Sequence, residues 1–186
     1  MHNYIIYDLE ATCWLGRPPK GLNEIIEIGA VKINAYGDVL SRFERFVKPT
    51  VNPLLSGFCK KLTSIKQEQV DRARTFDKVI VDFLDWGDIY DSDSFICSWG
   101  SNDKKLLFDD CELHDVDHEW LDNYVNLKDQ YDLLKRQGNG TVKGTLKKIV
   151  VKEGFEFTGK QHRAISDAEN LAKIFLKYFD EWTFVQ

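Results

Sequence analysis

Apolar residues recur along this chain in two rhythms. Short dense runs cover residues 4–9, 24–33 (EIIEIGAVKI), 39–47, 94–99 and 124–127, and these predict strands. Between the second and third runs, Asn34-Ala35-Tyr36-Gly37-Asp38 carries a Gly-Asp turn, so a β-hairpin is expected there, ended by Pro49 and Pro53. Helical spacing shows elsewhere. Phe76, Val79, Ile80, Phe83 and Leu84 share one face of a helix over 75–86 with Thr75 as its N-cap. Ile165, Ala168, Leu171, Ala172, Phe175, Leu176 and Phe179 do the same for the last helix, 165–179. Shorter helices are expected over 54–62, from an N-cap at Ser64, over 103–111, over 129–137 with a stop at Gly138-Asn139-Gly140, and over 145–152. A β-meander followed by alternating helix and strand predicts the α/β class, a mixed sheet of about five strands with helices on its faces.

Length and composition narrow the class. At 186 residues the expectation is one domain over 1–186. A 43% hydrophobic and 13% aromatic content fits a folded globule. No apolar run reaches the length of a membrane span, and no signal-peptide pattern opens the chain. Cys13, Cys59, Cys97 and Cys111 lack C-x-x-C spacing, which points to a reduced cytoplasmic protein without a zinc site. A net charge of −5 argues against a static nucleic-acid binder held by charge, but not against an enzyme that works on a polyanion.

The candidate chemistry starts in the first strand. Asp8 and Glu10 are two residues apart, so they stand on one face of it. Two adjacent carboxylates on a buried element repel unless a cation or proton lies between them, and hard divalent ions such as Mg²⁺ or Mn²⁺ suit an oxygen cluster. Asp103 opens a helix just after a strand, where α/β sheets gather ligands. His162 precedes the last helix and Asp167 lies in its first turns. Four carboxylates can hold two divalent ions about 4 Å apart, and a neutral imidazole can take the proton of an attacking water. Taken singly, each piece has a plainer reading. Asp103 and Asp167 suit helix starts, His162 suits a surface or core site, and Phe58 and Trp99 suit a core. Glu24 and Glu27 read as surface charges or as groups standing behind the site.

The segments YDLEAT, SWGSND and HRAISD resemble the three motifs of the DEDDh 3′→5′ exonucleases, the DnaQ-like or RNase T-like superfamily. The likeness is strongest to the ERI-1-like branch, bacterial KapD-type proteins included. It extends through Glu10-Ala11-Thr12-Cys13, Asn23-Glu24-Ile25-Ile26-Glu27, Phe58-Cys59-Lys60-Lys61-Leu62-Thr63 and Gln69-Val70-Asp71-Arg72-Ala73. Gly100-Ser101-Asn102 between Trp99 and Asp103 departs from the eukaryotic pattern and favours the bacterial type. The resemblance implies an RNase H-like fold and two Mg²⁺ or Mn²⁺ ions on Asp8, Glu10, Asp103 and Asp167. It implies His162 as general base, and a nucleotide pocket at Ala11, Thr12, Phe58 and Trp99. The implied partner is a single-stranded 3′ end, RNA ahead of DNA. A non-catalytic regulatory module on this fold and a polymerase proofreading subunit are the alternatives.

Overall fold

The computed structural model describes residues 2–90, 94–135 and 144–184. Its six strands are β1 (Asn3–Ala11), β2 (Ile25–Asn34), β3 (Val39–Lys48), β4 (Arg74–Thr75), β5 (Phe95–Ser98) and β6 (Tyr124–Asn126). They form one mixed sheet in the order β4-β3-β2-β1-β5-β6. The meander β1-β2-β3 is antiparallel, while β5 and β6 join β1 in parallel. The sheet therefore has one strand more than the five expected. The extra strand, β4, is only two residues long and exists through its pairing with Val47 and Lys48, so no local pattern announces it.

β2 is buried along nearly its whole length, the state in which a strand reads as a continuous apolar run instead of alternating. Its neighbour sorts by parity. Ile5, Tyr7 and Leu9 of β1 face a core built with α3 (Phe76–Gly87) and α4 (Asn102–His114). Ile6 faces the other core, built with α5 (Leu127–Leu134), α6 (Leu146–Lys152) and α7 (Ala164–Lys177). Each fully buried Ile or Phe in these layers stabilises the fold by about 1.5–3 kcal/mol. Asp8 and Glu10 continue the Ile6 face towards the C-terminal end of β1, where the first turn of α7 lies.

Gly29 sets how close α7 comes. It pairs with Asp8 across the strands, and a Cβ placed on it would lie 2.1 Å from the Ile165 amide nitrogen and 2.2 Å from the Ala164 carbonyl carbon. The helix start rests directly on the strand backbone, and only glycine permits that approach.

Several caps differ from expectation. α1 (Gly57–Thr63) begins after Ser56, whose hydroxyl accepts from the Cys59 amide, so Leu54 lies outside it. Ser64 takes the left-handed position that ends α1 (φ 64°) and does not start the next helix. α2 (Gln67–Asp71) instead starts after Lys66, whose amide donates to the Gln69 side chain. Thr75 holds the N-cap position of α3, yet its hydroxyl turns to the Asp77 carboxylate and caps nothing. α5 starts at Leu127, earlier than expected, because the Asn126 side chain accepts from the Lys128 and Asp129 amides. Its expected stop at 138–140 lies outside the described residues.

Candidate active site

Four elements converge at the C-terminal end of β1. β1 supplies Asp8 and Glu10, the start of α4 supplies Asp103, the loop ahead of α7 supplies His162, and the first turn of α7 supplies Asp167. Ligand-capable atoms of Glu10, His162 and Asp167 all lie within 4.8 Å of one another. Asp8 feels Asp103, Asp167 and Glu10 together, which joins the fourth acid to the group. The five residues picked out in sequence thus meet at one place.

Their electrostatics are those of buried acids that form no ion pair among the described residues. Burial raises Asp8 well above the ordinary carboxylate range, and Asp103, Asp167 and Glu10 raise it further. Glu10 is pushed up to about 8, first by burial and then by Asp167 and Glu27. Asp103 is pushed up to about 7 by burial, although hydrogen bonds from Ser98 and its own amide pull the other way. Asp167 rises to about 6 through burial, held back by the His162 amide and ring charge. The ion pairs among the described residues leave Asp8, Glu10, Asp103 and Asp167 out. Grouped oxygens plus one imidazole, with no ion-pair partner among the described residues, make a donor set that fits hard divalent ions.

The sequence alone leaves Glu24 and Glu27 open between surface charges and groups standing behind the site. Glu24 and Glu27 are both buried, so the surface-charge reading of them is wrong. Glu24 accepts from the amides of Thr50 (2.5 Å), Val51 (2.8 Å) and Asn52 (2.6 Å), clamping the loop after β3. Glu27 stands directly across from Glu10 and accepts from Arg163 Nε (3.0 and 3.1 Å), Arg163 Nη2 (2.6 Å) and the Ala164 amide (2.9 Å). A charge inside a strand that reads as buried on both faces had to find such a partner, and that was the available signal. Asp103 is presented by a pinned turn. Gly100 adopts φ 110°, and its carbonyl accepts from Ser98 Oγ (2.9 Å) and from the Tyr124 hydroxyl.

The expected nucleotide contacts are placed less uniformly. The Thr12 amide donates to the Glu24 carbonyl (2.8 Å), and the Thr12 hydroxyl accepts from the Glu24 amide (2.9 Å), so Thr12 is engaged within the protein. The Ala11 carbonyl accepts from the Cys59 thiol. Phe58 is 36% exposed and, with Leu15, Gly57, Lys61 and Leu62, lines an open cavity of about 600 Å³. Trp99 leans on Tyr131 with ring centroids 5.4 Å apart, and its buried indole N–H has no partner among the described residues.

Known proteins place this arrangement. Human 3′-5′ exoribonuclease 1 is 31% identical over 188 residues, covering 97% of this chain and 53% of the relative. The zebrafish (Danio rerio) ERI1 exoribonuclease 2 is 33% identical over 189 residues, covering 90% of this chain and 33% of the relative. This chain thus spans about half the length of the exoribonuclease 1 relatives it matches. Among solved structures, the nuclease domain of 3′hExo, a DEDDh family member bound to rAMP, superposes with a TM-score of 0.89 at 29% identity. That match covers 99% of this chain and 96% of the other. The profile of the exonuclease family (RNase_T) matches residues 5–175, and the chain belongs to that family.

Proposed function

We propose that this protein is a metal-dependent 3′→5′ exonuclease that acts on single-stranded 3′ ends, RNA ahead of DNA, and releases nucleoside 5′-monophosphates. The observation that carries this reading is the meeting of Glu10, His162 and Asp167 within 4.8 Å, backed by Asp8, with no ion-pair partner for these acids among the described residues. Asp8, Glu10, Asp103 and Asp167 would hold two ions, Mg²⁺ or Mn²⁺. Such a pair steadies charge on the attacking and leaving oxygens of an in-line displacement. His162, held partly buried beside these acids, accepts the proton of the attacking water at a ring nitrogen. The bond from phosphorus to the 3′-oxygen of the penultimate nucleotide breaks, that oxygen gains a proton from solvent, and the phosphate stays on the released nucleotide.

Phe58 would stack a base, the Ala11 main chain would line the terminal sugar with Thr12 beside it, and Trp99 would complete the pocket; the exposed ring of Phe58 supports this reading. RNA is favoured because the relatives are named exoribonucleases and the 3′hExo nuclease domain holds rAMP. One nuclease domain over 1–186 is supported by the near-complete overlap with that domain. Among the described residues no helix is long and apolar enough to cross a membrane. The four free cysteines fit a cytoplasmic setting.

The test is a time course on a single-stranded RNA labelled at either end. With Mg²⁺ or Mn²⁺, the 5′-labelled strand shortens stepwise and the 3′-labelled strand yields a labelled monophosphate first. Activity that persists in excess chelator, or cuts confined to internal positions, contradicts the assignment.

A further inference from the structure

We propose that Glu27 is a positioning residue that sets the place of the His162 imidazole through Arg163 and Ala164; this rests on the nuclease reading above. Arg163, the N-cap residue of α7, makes no capping hydrogen bond with its own side chain. The missing acceptor comes from another element. Glu27 of β2, 0% exposed, takes the Ala164 amide on Oε2 and the Arg163 fork on both oxygens. These two residues directly follow His162.

His162 itself sits at φ 60°, a left-handed conformation that a residue with a side chain adopts only when its surroundings impose it. Its amide donates to Asp167 Oδ2 (2.9 Å), and the Asp167 amide donates to the Arg163 carbonyl (3.0 Å). The loop is thus clamped at 162 by Asp167 and at 163–164 by Glu27. With the second clamp gone, the two bonds to Asp167 are the main restraint left on the loop, and relaxation of His162 to a negative φ swings the ring away from Glu10. Glu44 also reaches Arg163 (3.0 Å), and the Phe46 ring lies 5.3 Å from the guanidinium. Glu44, however, is exposed and makes a single bond, so it steadies Arg163 without fixing Ala164.

Glu27 faces Glu10 across the strands, which invites the simpler view that it is a further cation ligand. Its oxygens are already filled, and it stands outside the group within 4.8 Å. Cation affinity therefore separates a ligand role from a positioning role, and turnover separates a positioning role from simple stability.

The experiment compares wild type, Glu27→Gln, Glu44→Gln, His162→Asn and the Glu27→Gln/His162→Asn double variant on single-stranded RNA over a Mn²⁺ titration. Hydrogen exchange of segment 159–167 is followed in the metal-free proteins. Glu27→Gln is expected to lower kcat by about tenfold or more, with KM and the half-saturating Mn²⁺ within about twofold. In the His162→Asn background it adds less than about twofold, because the group it positions is gone. Exchange in 159–167 quickens by about tenfold or more while β1 and β2 are unchanged, and Glu44→Gln stays within about threefold of wild type. An unchanged kcat, a shifted Mn²⁺ requirement, or full multiplication of the two kcat losses overturns the proposal. If Glu27→Gln does not fold, Arg163→Lys, which keeps the charge and loses the fork, carries the same comparisons. Should wild type degrade no RNA, the nuclease reading fails, while exchange at 162–164 still decides whether Glu27 holds the loop.

Discussion

The two ends of α7 handle buried acid in opposite ways. At its C-terminal end, Glu153 is almost enclosed, yet it accepts from Lys177 Nζ (2.7 Å), Tyr131 (2.5 Å) and Tyr178 (2.5 Å), with Lys135 Nζ 3.3 Å away. Burial alone would raise its pKa. The four donors outweigh burial and bring it to about 2. At the N-terminal end, Glu10 is 8% exposed, has Asp8, Asp103 and Asp167 for company, and is pushed up to about 8. The two ends of one helix thus meet a satisfied carboxylate that ties elements together, Glu153 at the end of α6, and a set of unsatisfied ones from β1, α4 and its own first turn that pull against the fold. Glu10 and Glu27 repeat the contrast across a single strand pair: Glu27 is ion-paired to Arg163 and builds, whereas Glu10 forms no ion pair among the described residues. Charge left uncompensated in a buried cleft marks function more reliably than burial or acidity alone.

Breaking the comparison at its reactive end has the largest expected effect. Glu10→Gln or Asp8→Asn should cut exonuclease turnover by about 10³-fold or more, since each removes a carboxylate no neighbour replaces. The same change should leave the melting temperature of the metal-free protein equal or higher, because a repelled buried charge disappears. Steady-state assays and calorimetric melts on one preparation check both halves. Next comes Gly29→Ala. The added Cβ must push the start of α7 off β2, which costs about 1–3 kcal/mol in denaturant unfolding. A displacement of about 1 Å at Asp167 should reduce turnover by about 100-fold.

Glu153→Gln sharpens the other side. It should lose about 1–3 kcal/mol of stability, less than a fully enclosed pair would because Lys135 and Lys177 are partly exposed, and leave turnover unchanged. The smallest effect is in pH. A lowered pKa at Glu153 gives stability that is present above its ordinary 4.5 and lost as pH falls towards about 2. A raised pKa at Glu10 works the other way: the folded state holds the extra proton, so stability is lost as pH rises from 4.5 through about 8. Melting temperature of the metal-free protein should therefore peak near pH 5 and decline by about 2–4 °C towards pH 8. Mn²⁺ should abolish the alkaline decline and leave the acid limb untouched.

How much of this was legible in sequence follows from what each feature depends on. The strand faces and long helices were legible because periodicity is local: Ile6, Asp8 and Glu10 share a face by parity alone. The ordered motifs gave the five site residues, and the structure brings them together. Glu27 read as a surface charge or a group behind the site; which of the two was not legible, since its position opposite Glu10 is set by β1–β2 register and its partner lies 136 residues away. Nothing in the EIIEIGAVKI run marks Gly29, because the helix that requires it arrives late in the chain. The engagement of Thr12 with Glu24 was not legible either, because that partner is supplied across a loop.

The central claim is that the acids at the start of α7 are left unsatisfied in order to hold divalent cations. Calorimetric titration of Mn²⁺ at pH 7.5 into wild type, Glu10→Gln and Glu153→Gln tests it most directly. The account predicts about two ions per chain for wild type and Glu153→Gln and a loss of binding in Glu10→Gln. Equal binding by Glu10→Gln and wild type, or none by wild type, would contradict it.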